Sequence, residues 1–188
     1  HVSLVGSEMC IRDSLHIGCL PNAINIEGVF DNDLGLKPFA NKHNDKFITI
    51  TGSVFDGDGK ALDDIMLESW QSDENGVYSP ECGFARFVPD SLTKKFNLYT
   101  LKPGFMNNID GKAQSPHILL SISSRGLNMT LNTRIYFEGD DLTNDPLLSN
   151  VRNCRNDVSS LIAKKIDEDI YLFDIFLQGD KETIFLDI

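Results

Sequence analysis

Positive charge is scarce in this chain: 17 lysines and arginines face 28 aspartates and glutamates, for a net charge of −11. A phosphate backbone would repel such a surface, so a nucleic-acid partner is excluded as a class. Long apolar runs are missing too. None approaches the roughly 20 residues that cross a bilayer as a helix, so no membrane-spanning helix is expected and the chain reads as soluble and cytoplasmic. Cysteine is sparse and unpatterned. Cys10, Cys19, Cys82 and Cys154 form no CxxC pair and no Cys/His cluster with zinc spacing. They are expected to be reduced, mostly buried thiols in a reducing compartment. Neither a P-loop nor a GxGxxG or GxSxG motif is present, which removes the common phosphate, dinucleotide and serine-hydrolase signatures. There is no internal repeat and no low-complexity tract.

What is there fits one domain, since 188 residues can bury a sizeable core. Residues 1–14, HVSLVGSEMCIRDS, have no period, no cap and no signal-peptide layout. They resemble translated adaptor read-through, and are expected to be a foreign segment standing where a native N-terminus should be. Residues 15–45 are rich in Gly, Pro, Asn and Asp and read as an extended arm. From residue 46 to 188 the pattern is that of a domain built from strands.

Phe47, Thr49 and Thr51 alternate with Ile48, Ile50 and Gly52, the period of two of a half-buried strand. Asp56-Gly57-Asp58-Gly59 reads as a hairpin turn before a second strand. It lacks the spaced acidic ligands and closing Glu of a calcium loop. Further strands are expected at Lys95–Thr100, Ile118–Ser123, Thr133–Phe137, Ile170–Leu177 and Glu182–Leu186. One helix is expected between Asp145 and Lys165, with Pro146 in its first turn and the polar stretch Asn153–Asp157 able to break it in two. Many short strands separated by turns predict a mainly β fold: an antiparallel β-sandwich with long loops and one or two short helices. Trp70 is expected to pack in the core rather than stack on a ligand. Gln178 and Glu182 are expected to support the last hairpin.

Several stretches are more specific: KPG at 102–104, PHI at 116–118, SRGL at 124–127, TRIYF at 133–137 and LQGDKET at 177–183. With the ITGSVFDGDG opening and the NGVY turn at 75–78, the chain from about His16 onward resembles the intradiol ring-cleavage dioxygenases. Within them it is most similar to the alpha chains of two-subunit members, which carry no iron. The resemblance implies an iron-bearing homologous beta subunit as partner. It also implies protocatechuate and O2 as substrates and 3-carboxy-cis,cis-muconate as product, with Fe(III) held by the partner.

Iron-bearing relatives bind the metal with two tyrosinates and two histidines. The histidines come as His-x-His on a strand, where residues two apart share a face. Here His117 takes the first histidine position and Leu119 the second. The tyrosine after KPG is replaced near Met106, while Tyr78 keeps the other. A hydrocarbon and a thioether cannot serve ferric iron, so no metal site is expected, and Tyr78, Met106, His117 and Leu119 are read as vestigial ligand positions. For Tyr78 and His117 the competing reading is a buried, hydrogen-bonded polar residue. By the same resemblance Arg134 lies near a shared pocket, where its planar fork suits the carboxylate of an anionic aromatic substrate. A surface salt bridge is the competing reading for it. His16 and Gly18 match the end of an N-terminal segment that the alpha chains send into the pocket. Two rival readings of the whole chain are a stand-alone β-sandwich binding module and a self-sufficient catechol dioxygenase; the later motifs oppose the first, Leu119 and Met106 the second.

Overall fold

The computed structural model describes residues 39, 46–78, 83–107, 112–155 and 157–187. Residues 1–14, the arm at 15–45 apart from Phe39, and with them His16 and Gly18, lie outside the described residues. Among the described residues thirteen strands carry the fold. They are β1 (Phe47–Gly52), β2 (Val54–Phe55), β3 (Ala61–Leu62), β4 (Ile65–Gln71), β5 (Ala85–Phe87), β6 (Phe96–Leu101), β7 (Met106–Asn107), β8 (Ala113–Gln114), β9 (His117–Ser124), β10 (Leu131–Phe137), β11 (Ile162–Asp167), β12 (Ile170–Leu172) and β13 (Ile175–Phe176). The helix α1 spans Pro146–Cys154. Among the described residues no helix is long and apolar enough to cross a membrane.

Eight strands form one sheet in the order β5-β4-β9-β10-β11-β12-β1-β6. Its two edges curl toward each other, and Phe87 on β5 and Phe96 on β6 bring their rings to 5.8 Å. The result is a barrel-like sandwich around one core that includes Ile50, Leu67, Leu98, Leu120, Ile135 and Phe137. The mainly β expectation holds, with mixed rather than purely antiparallel pairing: β1 runs parallel to β12, and β10 parallel to β11. The first strand behaves as its period of two predicts, burying Ile48, Ile50 and Gly52. The Asp56 side chain accepts from the Asp58 and Lys60 amides at 3.0 and 2.9 Å, and Gly59 takes φ +78°, so the DGDG segment is a turn.

Four local expectations are corrected. The helix stops at Cys154, where Arg155 turns extended; a short 3-10 turn at Ser159–Leu161 follows, and Ile162–Asp167 is a strand. Between β10 and β12 that segment gains pairing on both sides, which outweighs its weak helical pattern. The strand expected over Ile170–Leu177 is split into β12 and β13, with Asp174 between them accepting from the Ser53 amide at 3.0 Å. Glu182–Leu186 makes a single bridge, Leu186 to Asn132, instead of a full strand. Cys154 is exposed rather than buried, at the end of the helix, while the other three cysteines lie outside the described residues.

β10 is buried on both faces. Ile135 and Phe137 enter the main core, whereas Tyr136 faces a second cluster with Leu148 and Val151 of α1, Leu161, Ile184 and Leu186. Phe137 has no exposed surface. Replacing it with alanine should cost ~3–5 kcal/mol of stability, read as a lowered urea midpoint. Phe105→Ala, at a side chain that is 55% exposed, should change stability by no more than ~0.5 kcal/mol.

Candidate functional site

The register of β4, β9 and β10 places the site. Trp70 is opposite Leu119, and Leu119 is opposite Arg134, so these three form a row across one face. His117 and Tyr136 form the next row on that face, two residues along. Tyr78, at the end of the NGVY turn, lies flat on Trp70 with ring centroids 5.3 Å apart and planes 13° off parallel. Met106 is paired with Gln114, and Gln114 Oε1 accepts from Arg134 Nη1 at 3.2 Å. Tyr78, Met106, His117 and Leu119 are thus gathered around one stretch of sheet, although they come from three separate segments.

The gathered side chains do not fit ferric iron. Leu119 offers no donor atom and Met106 only a thioether, where a hard trivalent ion needs oxygen and nitrogen. Burial pushes the Tyr78 hydroxyl up to about 12, so it stands as a neutral phenol rather than a phenolate. His117 Nδ1 donates to the Ser115 carbonyl at 2.8 Å, which leaves Nε2 as its one free donor atom and the only nitrogen that these four side chains offer. Among the described residues, no group of three or more His, Cys, Asp or Glu is placed to hold a metal.

What the face holds instead is a buried polar network. Arg134 is 2% exposed, and its Nη1 donates to Gln114 Oε1 and to the Tyr136 hydroxyl, both at 3.2 Å. Tyr136 in turn donates to Asp145 Oδ1 at 3.2 Å. The same carboxylate accepts from the Leu148 amide at 3.0 Å and, through Oδ2, from the Ser115 amide at 2.9 Å. A guanidinium and a carboxylate are therefore joined through one phenol. Arg134 lies inside the fold, not at the surface, and the surface ion-pair reading does not apply to it. Burial raises the Tyr136 hydroxyl, which keeps it a donor. Trp70 is buried, as expected, though its main partner is Tyr78.

Gln114, Ser115, Tyr136 and Asp145 were not singled out by sequence as site residues. Two signals were available. Arg134 and Tyr136 are two apart on a strand, hence on one face, and Asp145-Pro146 is the start signature of a helix. That the helix cap and the strand pair meet is a long-range contact that no local pattern displays.

His117 is buried, and its ring packs 5.7 Å from Tyr136. Desolvation lowers its pKa, opposed by the Ser115 carbonyl and the Asp145 charge. The unfolded chain protonates first, near pH ~6.5, so acidification below that value favours unfolding until the folded pKa is reached. Urea midpoints measured from pH 7.5 down to 5 should therefore fall for the native chain. His117→Asn, which can still donate to Ser115 but cannot titrate, should flatten that fall.

The geometry can be set beside known proteins. A family model described as "Dioxygenase" matches residues 22–179. The protocatechuate 3,4-dioxygenase alpha chain of Pseudomonas putida is 38% identical over 152 residues, 74% of this chain and 75% of that one. The corresponding alpha chain of Burkholderia cepacia is 32% identical over 157 residues, 75% and 77% of the two chains. Among solved structures, 3-chlorocatechol 1,2-dioxygenase from Rhodococcus opacus 1CP superposes with a TM-score of 0.62, covering 90% of this chain and 77% of that one. At 18% identity that likeness concerns the fold alone. Matches of this extent make this chain a member of the intradiol ring-cleavage dioxygenase family.

Proposed function

We propose that the chain is the alpha, non-iron subunit of a protocatechuate 3,4-dioxygenase. The observation that carries the reading is the donor set: the four ligand positions are together, and two of them hold Leu119 and Met106. The similarity to two alpha chains supports it. In this reading a homologous beta subunit holds Fe(III), and the pair cleaves protocatechuate with O2 to 3-carboxy-cis,cis-muconate in the cytoplasm. This chain contributes wall, interface and charge to the pocket. Arg134 acts on the carboxylate side of the substrate. Its charge is weakly screened because it is buried, so it favours a nearby anion even without direct contact. His16 and Gly18, outside the described residues, are proposed to line the same pocket.

Purification of the chain alone and with an iron-bearing homologous chain tests the assignment. The isolated chain should be colourless and inactive, and the pair should show tyrosinate-to-iron absorption and ring cleavage. A coloured, active isolated chain overturns it. In the reconstituted pair, Arg134→Ala should raise KM for protocatechuate about tenfold or more, the scale of one charge-assisted interaction. KM for plain catechol should stay nearly constant. Equal changes for both substrates would remove the carboxylate role.

A further inference from the structure

Among the described contacts Arg134 Nη1 has two acceptors, Gln114 Oε1 and the Tyr136 hydroxyl, each at 3.2 Å. Both trace back to one carboxylate. Asp145 Oδ1 receives the Tyr136 proton at 3.2 Å, which turns a lone pair of that hydroxyl toward Arg134. Asp145 Oδ2 accepts the Ser115 amide at 2.9 Å and so fixes the backbone of the residue that follows Gln114. Guanidinium, phenol, carboxylate and the end of β8 close a ring of contacts around Arg134.

Only an ionised carboxylate serves all of these partners. Oδ1 accepts from Tyr136 and from the Leu148 amide, and Oδ2 from Ser115, so three donors meet two oxygens. Asparagine caps a helix as well as aspartate does, yet it would turn an NH2 group toward at least one of the three donors. Arg134 and Asp145 are both buried, so no bulk water replaces a bond that is lost.

We propose that Asp145 is a positioning residue: acting through Tyr136 and Ser115, it holds the Arg134 guanidinium where it favours a substrate with a carboxylate over one without. The inference rests on the reading of Arg134 given above and carries it to a residue that does not touch the guanidinium itself. Two effects of Asp145 oppose each other. Its negative charge weakens the field of Arg134, while its hydrogen bonds fix where that field is centred. Placement governs the preference, because small displacements of a recognising group cost much of its effect. Tyr136→Phe separates the two effects, since it removes the link and leaves both charges.

The test uses the full chain reconstituted with an iron-bearing homologous chain. KM and kcat for protocatechuate and catechol are measured in the native pair and in Tyr136→Phe, Asp145→Asn and Arg134→Ala, the first two also combined with Arg134→Ala. Circular dichroism and gel filtration check folding and assembly. Tyr136→Phe and Asp145→Asn should each raise KM for protocatechuate about three- to tenfold, less than Arg134→Ala does. KM for catechol and both kcat values should stay nearly constant, whereas a merely structural role would move both substrates together. In the Arg134→Ala background neither substitution should alter the preference further. If Arg134→Ala lowers the preference for protocatechuate while either of the other single variants leaves it intact or increases it, the inference is overturned and the reading of Arg134 stands. It is also overturned if Asp145→Asn acts as strongly without Arg134 as with it. If Arg134→Ala itself leaves the preference unchanged, the reading of Arg134 falls and the inference with it. Should Asp145→Asn fail the folding check, Tyr136→Phe, which keeps the ring and both amide bonds of Asp145, is judged alone by the same criteria.

Discussion

One carboxylate ties the outer half of this fold together. Asp145 closes the first turn of α1 by accepting the Leu148 amide, anchors the entry to β9 by accepting the Ser115 amide, and receives the Tyr136 hydroxyl from β10. Each bond satisfies a group that would otherwise be buried without a partner, at a cost of about 1–3 kcal/mol apiece. Together they fix where the helix sits relative to the sheet. Because Tyr136 reaches Arg134 and Ser115 reaches His117, the helix cap also sets the geometry of the candidate site.

The charge balance of the face follows from that tie. Arg134 and Asp145 are both buried, and a bare buried charge is costly. The phenol between them carries the interaction from one to the other while staying neutral itself. Arg134 stands directly opposite Leu119 on the adjacent strand.

Local chemistry was legible in the sequence, and long-range chemistry was not. The alternation of β1, the DGDG turn, the start of α1 at Pro146 and the shared face of Arg134 and Tyr136 are all consequences of neighbouring residues, and all are seen in the structure. The motifs at PHI and after KPG pointed to the positions that the sheet does bring together. The strand at Ile162–Asp167 was not visible, because its pairing with β10 and β12 decides its state, not its own pattern. Burial of Arg134 and its link to Asp145 leave no local sequence pattern for the same reason. They depend on the register between β9, β10 and a helix cap 11 residues further along the chain, which only the folded arrangement supplies.

Tyr78 and His117 each have a structural role inside the fold. Tyr78 has its ring stacked on Trp70, covering an indole that would otherwise expose a large apolar face, and such a pair is worth about 0.5–1.5 kcal/mol beyond area burial. His117 gives a hydrogen bond to the Ser115 carbonyl while the neighbouring amide binds Asp145, so both backbone groups of Ser115 are satisfied inside the fold. Neither role needs a metal. Leu119 is half-buried between Trp70 and Arg134, and Met106 is buried on β7 opposite Gln114.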